Sequence, residues 1–76
     1  MIQTHGNMIE VFKTNVSNPQ QADELIGLLH HILPGSTINF DLEDCDKILR
    51  IDHKLVEPTQ VIALLADKGF RCAVLQ

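Results

Sequence analysis

Between Met8 and Leu75 the apolar residues change their spacing in a fixed succession. They recur at every second residue, then every third or fourth, then every second twice over, then every third or fourth, and finally every second again. Alternation by two belongs to a half-buried strand and recurrence by three and four to one face of a helix, so the succession predicts strand, helix, strand, strand, helix, strand. The connections are only a few residues long. Elements joined so tightly pack beside one another, which makes the second and third strands a hairpin and sends each helix back across the sheet. The expected class is α+β, a ferredoxin-like βαββαβ sandwich with a four-stranded antiparallel sheet in the order 4-1-3-2 and two helices on one face.

Local signals punctuate this pattern. Met8 to Thr14 reads as the first strand, with Ile9 and Val11 alternating against Glu10 and Phe12. Asn18 can cap a helix whose first position is Pro19, where the missing N–H costs nothing, and Gln21 stands at capping-box spacing. Ala22, Leu25, Ile26, Leu29, Ile32 and Leu33 form its apolar stripe, and Pro34-Gly35 ends it. Ser36 to Leu42 alternates with Ile38, Phe40 and Leu42 on one side. Glu43 to Asp46 is a turn, and Lys47 to His53 alternates again, with Leu49 and Ile51 opposed to Ile48, Arg50 and Asp52. Glu57-Pro58 opens the second helix, Val61, Ile62, Leu64 and Leu65 face inward, and Gly69 occupies the place of a left-handed C-cap. Phe70 to Leu75 closes as a strand. Residues 1–7, polar and aperiodic, read as a flexible lead-in to a single domain over residues 8–76.

Composition narrows the function classes. A chain of 76 residues sustains one core and no second lobe, and its 45% apolar content is globular rather than disordered. Ten acidic against six basic residues give a net charge of −4, and the basic ones are scattered from Lys13 to Arg71. Nucleic-acid binding needs them clustered, so none is expected. No apolar run approaches the roughly 20 residues of a membrane span, and the start of the chain lacks a secretion signal, which makes a cytoplasmic protein the expectation.

The helix ending in Leu33-Pro34-Gly35, the hairpin from Ile38-Asn39-Phe40-Asp41-Leu42 to Ile48-Leu49-Arg50-Ile51-Asp52, and the closing Lys68-Gly69-Phe70 together resemble the heavy-metal-associated domain of copper chaperones and metal-pumping ATPases. The likeness spans nearly all of residues 8–75. It implies the same fold and a soft-metal site in a Met-x-Cys-x-x-Cys loop between the first strand and the first helix. Counted back from Pro34-Gly35, those cysteines fall near Pro19 and Ala22, and Val16 lies close to the loop methionine. Copper(I) favours thiolates, and neither proline nor alanine offers a donor. The resemblance therefore implies a scaffold that has lost its metal loop and holds no cofactor. Lys68 stands where some chaperones keep a lysine near their metal.

A few other residues have side chains capable of chemistry. Cys72 alternates with Phe70 and Val74 and reads as a small buried hydrophobe, whereas Cys45, in the hairpin turn, is expected to be exposed and is the weak candidate for a metal ligand. Two to three strand spacings of about 4.8 Å separate the two cysteines, which opposes a disulfide between them. Asp41, Glu43, Asp44 and Asp46 do not match an EF-hand loop, since aspartate occupies the required glycine and glutamate positions at 46 and 52. His30 or His31 with His53 would make at best a two-ligand zinc site. Ser17 and Ser36 lack a nucleophile context, the glycines are isolated, and the arginine loop of acylphosphatases, which share the βαββαβ order, is missing. No enzymatic activity is expected.

The surface left over is the side of the sheet that the helices do not cover. Simple antiparallel register sets Phe12 beside Ile48 and Glu10 beside Arg50, with Arg71, Ala73 and Leu75 from the last strand. Phe12, Ile48, Arg50 and Leu75 are then an interaction patch for a protein partner or a second copy of the chain. The function expected is a non-catalytic interaction or regulatory module. The alternative is weak copper or zinc binding through Cys45 or the histidines. Small-ligand sensing, as in amino-acid-binding domains of the same strand order, is a third class for which no residue speaks.

Overall fold

The computed structural model describes residues 7–75, so the lead-in expected over residues 1–7 lies, apart from Asn7, outside the described residues. The chain runs β1 (Met8–Thr14), α1 (Pro19–Ile32), β2 (Thr37–Asp41), β3 (Ile48–His53), α2 (Pro58–Asp67), β4 (Cys72–Val74). The strands form one sheet in the order β2-β3-β1-β4 with every neighbouring pair antiparallel. This is the ferredoxin-like order 4-1-3-2 read from the opposite edge.

Each helix begins and ends for a local reason. The Asn18 side-chain oxygen accepts from the N–H groups of Gln20 (2.8 Å) and Gln21 (3.3 Å), two of the donors a helix start leaves unpaired. At the far end, Gly35 takes a φ of +83° and the buried Ser36 hydroxyl donates to the Leu33 carbonyl at 2.7 Å, turning the chain into β2. α2 closes in a Schellman motif. The Phe70 N–H reaches the Leu65 carbonyl (2.9 Å) and the Gly69 N–H the Ala66 carbonyl (3.0 Å), while Gly69 sits at φ +91°. At this φ a side chain would be strained, which is why glycine stands there.

One core joins the layers. Phe12, Ile38, Leu49 and Ile51 rise from the sheet to meet Ala22, Leu25, Leu29 and Leu33 of α1 and Val61 and Leu65 of α2. Val16 and Val56, from the loops before the two helices, complete it. Because these sheet residues share one side of the pleat, both helices cover the same face. Each large side chain taken fully from water here contributes about 1.5–3 kcal/mol before the entropy of ordering is set against it.

The register corrects the expected placement of Phe12. In β1 and β3, Phe12 stands opposite Leu49, Glu10 opposite Ile51, Val11 opposite Arg50 and Lys13 opposite Ile48. Directly opposed residues share a face, so Phe12 belongs with Leu49 in the core, at 0% exposure, and not with Ile48 on the uncovered side. The expected pairs Phe12–Ile48 and Glu10–Arg50 are each off by one residue. In a strand, a shift by one moves the whole apolar set to the other side.

Candidate functional site

With β1 in its true phase, the uncovered face consists of three cross-strand rows. Asp41, Ile48, Lys13 and Ala73 form one, Asn39, Arg50, Val11 and Leu75 the next, and Thr37, Asp52 and Ile9 the last. Leu75 joins the middle row because its N–H donates to the Val11 carbonyl at 2.8 Å. Three of the four residues expected in the patch, Ile48, Arg50 and Leu75, do share this face. Phe12 does not, and Ile9 and Val11 take its place. Ile9 is the most exposed large hydrophobe among the described residues, at 61%, and Leu75 is 38% exposed, whereas Ile48, at the start of the inner strand β3, is 8% exposed without belonging to the helix-covered core. One oxygen of Asp52, Oδ1, is buried with no hydrogen-bond partner.

The end of the domain that carries the β1–α1 loop is closed by backbone and side-chain hydrogen bonds. Thr14 donates its hydroxyl to the Lys47 carbonyl (2.7 Å) and its N–H to the Asp46 carbonyl (2.9 Å), fastening the β2–β3 turn to the end of β1. The same hydroxyl oxygen accepts from the Val16 N–H at 3.1 Å, and the Arg71 N–H donates to the Asn15 side chain at 2.7 Å. Val16 is fully buried beneath these bonds. Pro19 is exposed at the first turn of α1, and Ala22 is buried in the core. A ring without a donor and a buried methyl cannot replace two thiolates, so the residues present do not fit a soft metal ion at this loop.

The β2–β3 turn is the other place where metal ligands gather. One ligand atom from each of Asp44, Cys45 and Asp46 lies within 4.8 Å of the others, and all or part of each residue faces solvent. The turn has structural work of its own. The Asp44 carboxylate accepts from the Asp46 N–H at 2.8 Å, Lys47 adopts φ +47°, and its ammonium donates to the Leu42 carbonyl at 2.9 Å. Both cysteines are free thiols, Cys45 exposed and Cys72 partly covered. Burial pushes the Cys72 thiol up to about 11, because a thiolate there would be poorly solvated.

Two histidines, His30 and His53, lie against backbone carbonyls. His30 Nε2 lies 3.1 Å from the Ser36 carbonyl, and His53 Nε2 lies 2.9 Å from that of Pro34. His53 Nδ1 lies 3.0 Å from the Leu55 carbonyl, so the ring ties the α1–β2 turn to the loop before α2. Each ring therefore already spends a metal-binding nitrogen on a carbonyl. His31 is exposed, and Lys68 caps α2 at the surface.

A groove that the sequence did not announce runs beside β4. It has a volume of about 560 Å³ and is walled by Ile62, Ala66 and Phe70 on one side and by the start of β4 on the other, with Lys13 and Arg71 among its lining residues. It lies between α2 and the start of β4, a three-residue strand at the edge of the sheet. Among the described residues, no helix is long and apolar enough to cross a membrane.

Neither a protein-family model, nor a curated protein, nor a solved structure matches the chain.

Proposed function

We propose that this domain is a non-catalytic protein-interaction module, built on a scaffold like the heavy-metal-associated domain and no longer carrying a metal in its loop. The observation that supports it most is the uncovered sheet face. Ile9, Val11 and Leu75 lie there beside Arg50, with no element of the described chain above them. Apolar side chains held on a rigid sheet and interleaved with charge are what a partner surface needs. The loop supports the same reading, since Pro19, Ala22 and Val16 turn a ligand position into an ordinary helix start.

Titration with copper(I) and with zinc, followed by intact-protein mass spectrometry, tests the reading. At micromolar metal no stoichiometric ion should be retained. A second reading, weak transition-metal binding, draws on the approach of Asp44, Cys45 and Asp46 to within 4.8 Å. One ion per chain, lost on Cys45→Ser, would replace the interaction reading with that one.

A further inference from the structure

We infer that the β4 edge, together with the groove beside it, accepts an extended peptide segment of alternating apolar and acidic residues as a fifth strand. The inference rests on the interaction reading and deepens it by adding an edge beside that face and the chemistry of the partner.

The backbone leaves the edge ready. The Leu75 N–H bonds the Val11 carbonyl, and Ala73 lies two residues away opposite Lys13, so Ala73 and Leu75 turn their peptide groups toward β1. In an antiparallel ladder the alternate residues, Cys72 and Val74, then point their N–H and C=O groups the other way, to the free edge. A row of unpaired peptide groups at a sheet edge is a template for strand addition.

The side chains specify what is added. Successive residues of an incoming strand face opposite sides of the sheet. On the helix side they meet the groove wall of Ile62, Ala66 and Phe70, which calls for apolar residues. On the other side they follow the phase of Arg71 and Ala73, next to Lys13, which stands opposite Ala73. These are two of only six cations in a chain of net charge −4, and they favour carboxylates. The opposite edge, β2, bears Asp41 and leads directly into Glu43, Asp44 and Asp46, so it would repel the same peptide.

The experiment uses the full chain and a fluorescein-labelled, end-capped peptide of three Glu-Val repeats, about the six residues of an ordinary strand. Binding is followed by fluorescence polarisation and by backbone amide hydrogen exchange. The expected result is saturable binding, slower exchange at the Cys72 and Val74 amides, and affinity at least about tenfold weaker for a Lys-Val peptide. Cys72→Pro, which removes an outward N–H at the first residue of the strand, should weaken binding to a similar degree, and Leu55→Lys, at an exposed position in the loop before α2, should leave it unchanged. Arg71→Glu should favour the Lys-Val peptide over the Glu-Val one, a readout that stands even if the proline variant is poorly folded. No protection of Cys72 and Val74 at millimolar peptide overturns the inference. So does binding that survives Arg71→Glu and is lost with Ile9→Lys, although that outcome leaves an interaction module intact. Self-association abolished by Cys72→Pro, in the absence of peptide binding, would assign the edge to a second copy instead. Stoichiometric copper(I) would overturn the interaction reading separately, because the peptide measurements are made on metal-free protein.

Discussion

The two faces of the sheet are built from the same strands and carry similar numbers of aliphatic side chains, yet they meet different fates. On the helix side, Phe12 and Leu49 stand opposite one another, with Phe40 and Val74 extending the row, and Ile38 and Ile51 begin the next. The row of Phe12 holds no charge, and the charge of the next, Glu10 opposite Ile51, stands at its half-covered end past the last residue of β4, so α1 and α2 close over the rest. On the other side every row holds a charge: Asp41 and Lys13 in the first, Arg50 in the second, Asp52 in the third. A helix laid over that face would have to bury those charges or pair them, at several kcal/mol for each unpaired ion. Interleaved charge thus keeps an aliphatic surface free of the protein's own core and open to a partner.

The difference can be broken most directly at Phe12. Replacing it with alanine removes the largest side chain of the covered face and leaves a cavity between sheet and helices, at a cost of about 3–5 kcal/mol. That is a large fraction of the 5–15 kcal/mol that ordinarily holds a domain together, so the urea midpoint should collapse. Retention of the wild-type midpoint would mean that Phe12 is not core. Ile48→Ala probes the opposite face at the same strand pair. Although Ile48 is also buried, no helix closes over it and solvent can enter the space it vacates, so the loss should fall near the lower end for a buried isoleucine, about 2 kcal/mol. If Ile48→Ala destabilises as much as Phe12→Ala, the open face is a second core and the distinction fails.

How much of this could be read from the sequence differs between the helices and β1. Asn18-Pro19, Pro34-Gly35 and Gly69 are residues whose backbone or capping chemistry admits few alternatives, and each sits where it was expected. β1 was harder. Its segment Met-Ile-Glu-Val-Phe-Lys-Thr has apolar residues in both phases and one charge in each, Glu10 in the phase of Phe12 and Lys13 in the phase of Ile9 and Val11. Periodicity cannot choose between two such phases. The register against β3 does, because Leu49 and Ile51 fix the core side and whatever stands opposite them follows. Side-chain volume was the signal available, since phenylalanine is the bulkiest residue of the strand and the open phase leaves it in water. The groove beside β4 was out of reach, because it depends on how α2 sits against the edge strand, which spacing along the chain does not report. The β2–β3 turn was legible as a turn, but not the left-handed Lys47 that closes it.

Cys72 sharpens the comparison at the margin of the covered face. Its pKa is raised from 9.0 to about 11 by desolvation, so the folded state favours the neutral thiol more than the unfolded chain does. The sign follows from linkage. The contribution is fully present below pH 9 and is lost as pH rises toward about 11, where the folded-state thiol also ionises. Urea midpoints of the wild type and of Cys72→Ala, compared below pH 9 and again near 11, should show a difference that shifts against the wild type at the higher pH. A difference independent of pH would place the thiol in water rather than under the helices. Alkylation at neutral pH gives a second view, with exposed Cys45 labelled well before Cys72.

The smallest expected effect on stability carries the most information about function. Ile9 is 61% exposed and sits in the outermost row, opposite Asp52. Lysine there removes little buried area and places a cation across the strand from a carboxylate, so the unfolding free energy should move by no more than about 0.5 kcal/mol. A residue that can be changed so cheaply has no need to be isoleucine for the sake of the fold. If the open face serves a partner, Ile9→Lys is silent in a urea titration and visible in a binding measurement. If it destabilises the isolated domain by several kcal/mol, Ile9 is covered by the protein itself, and the face is not free for anything else.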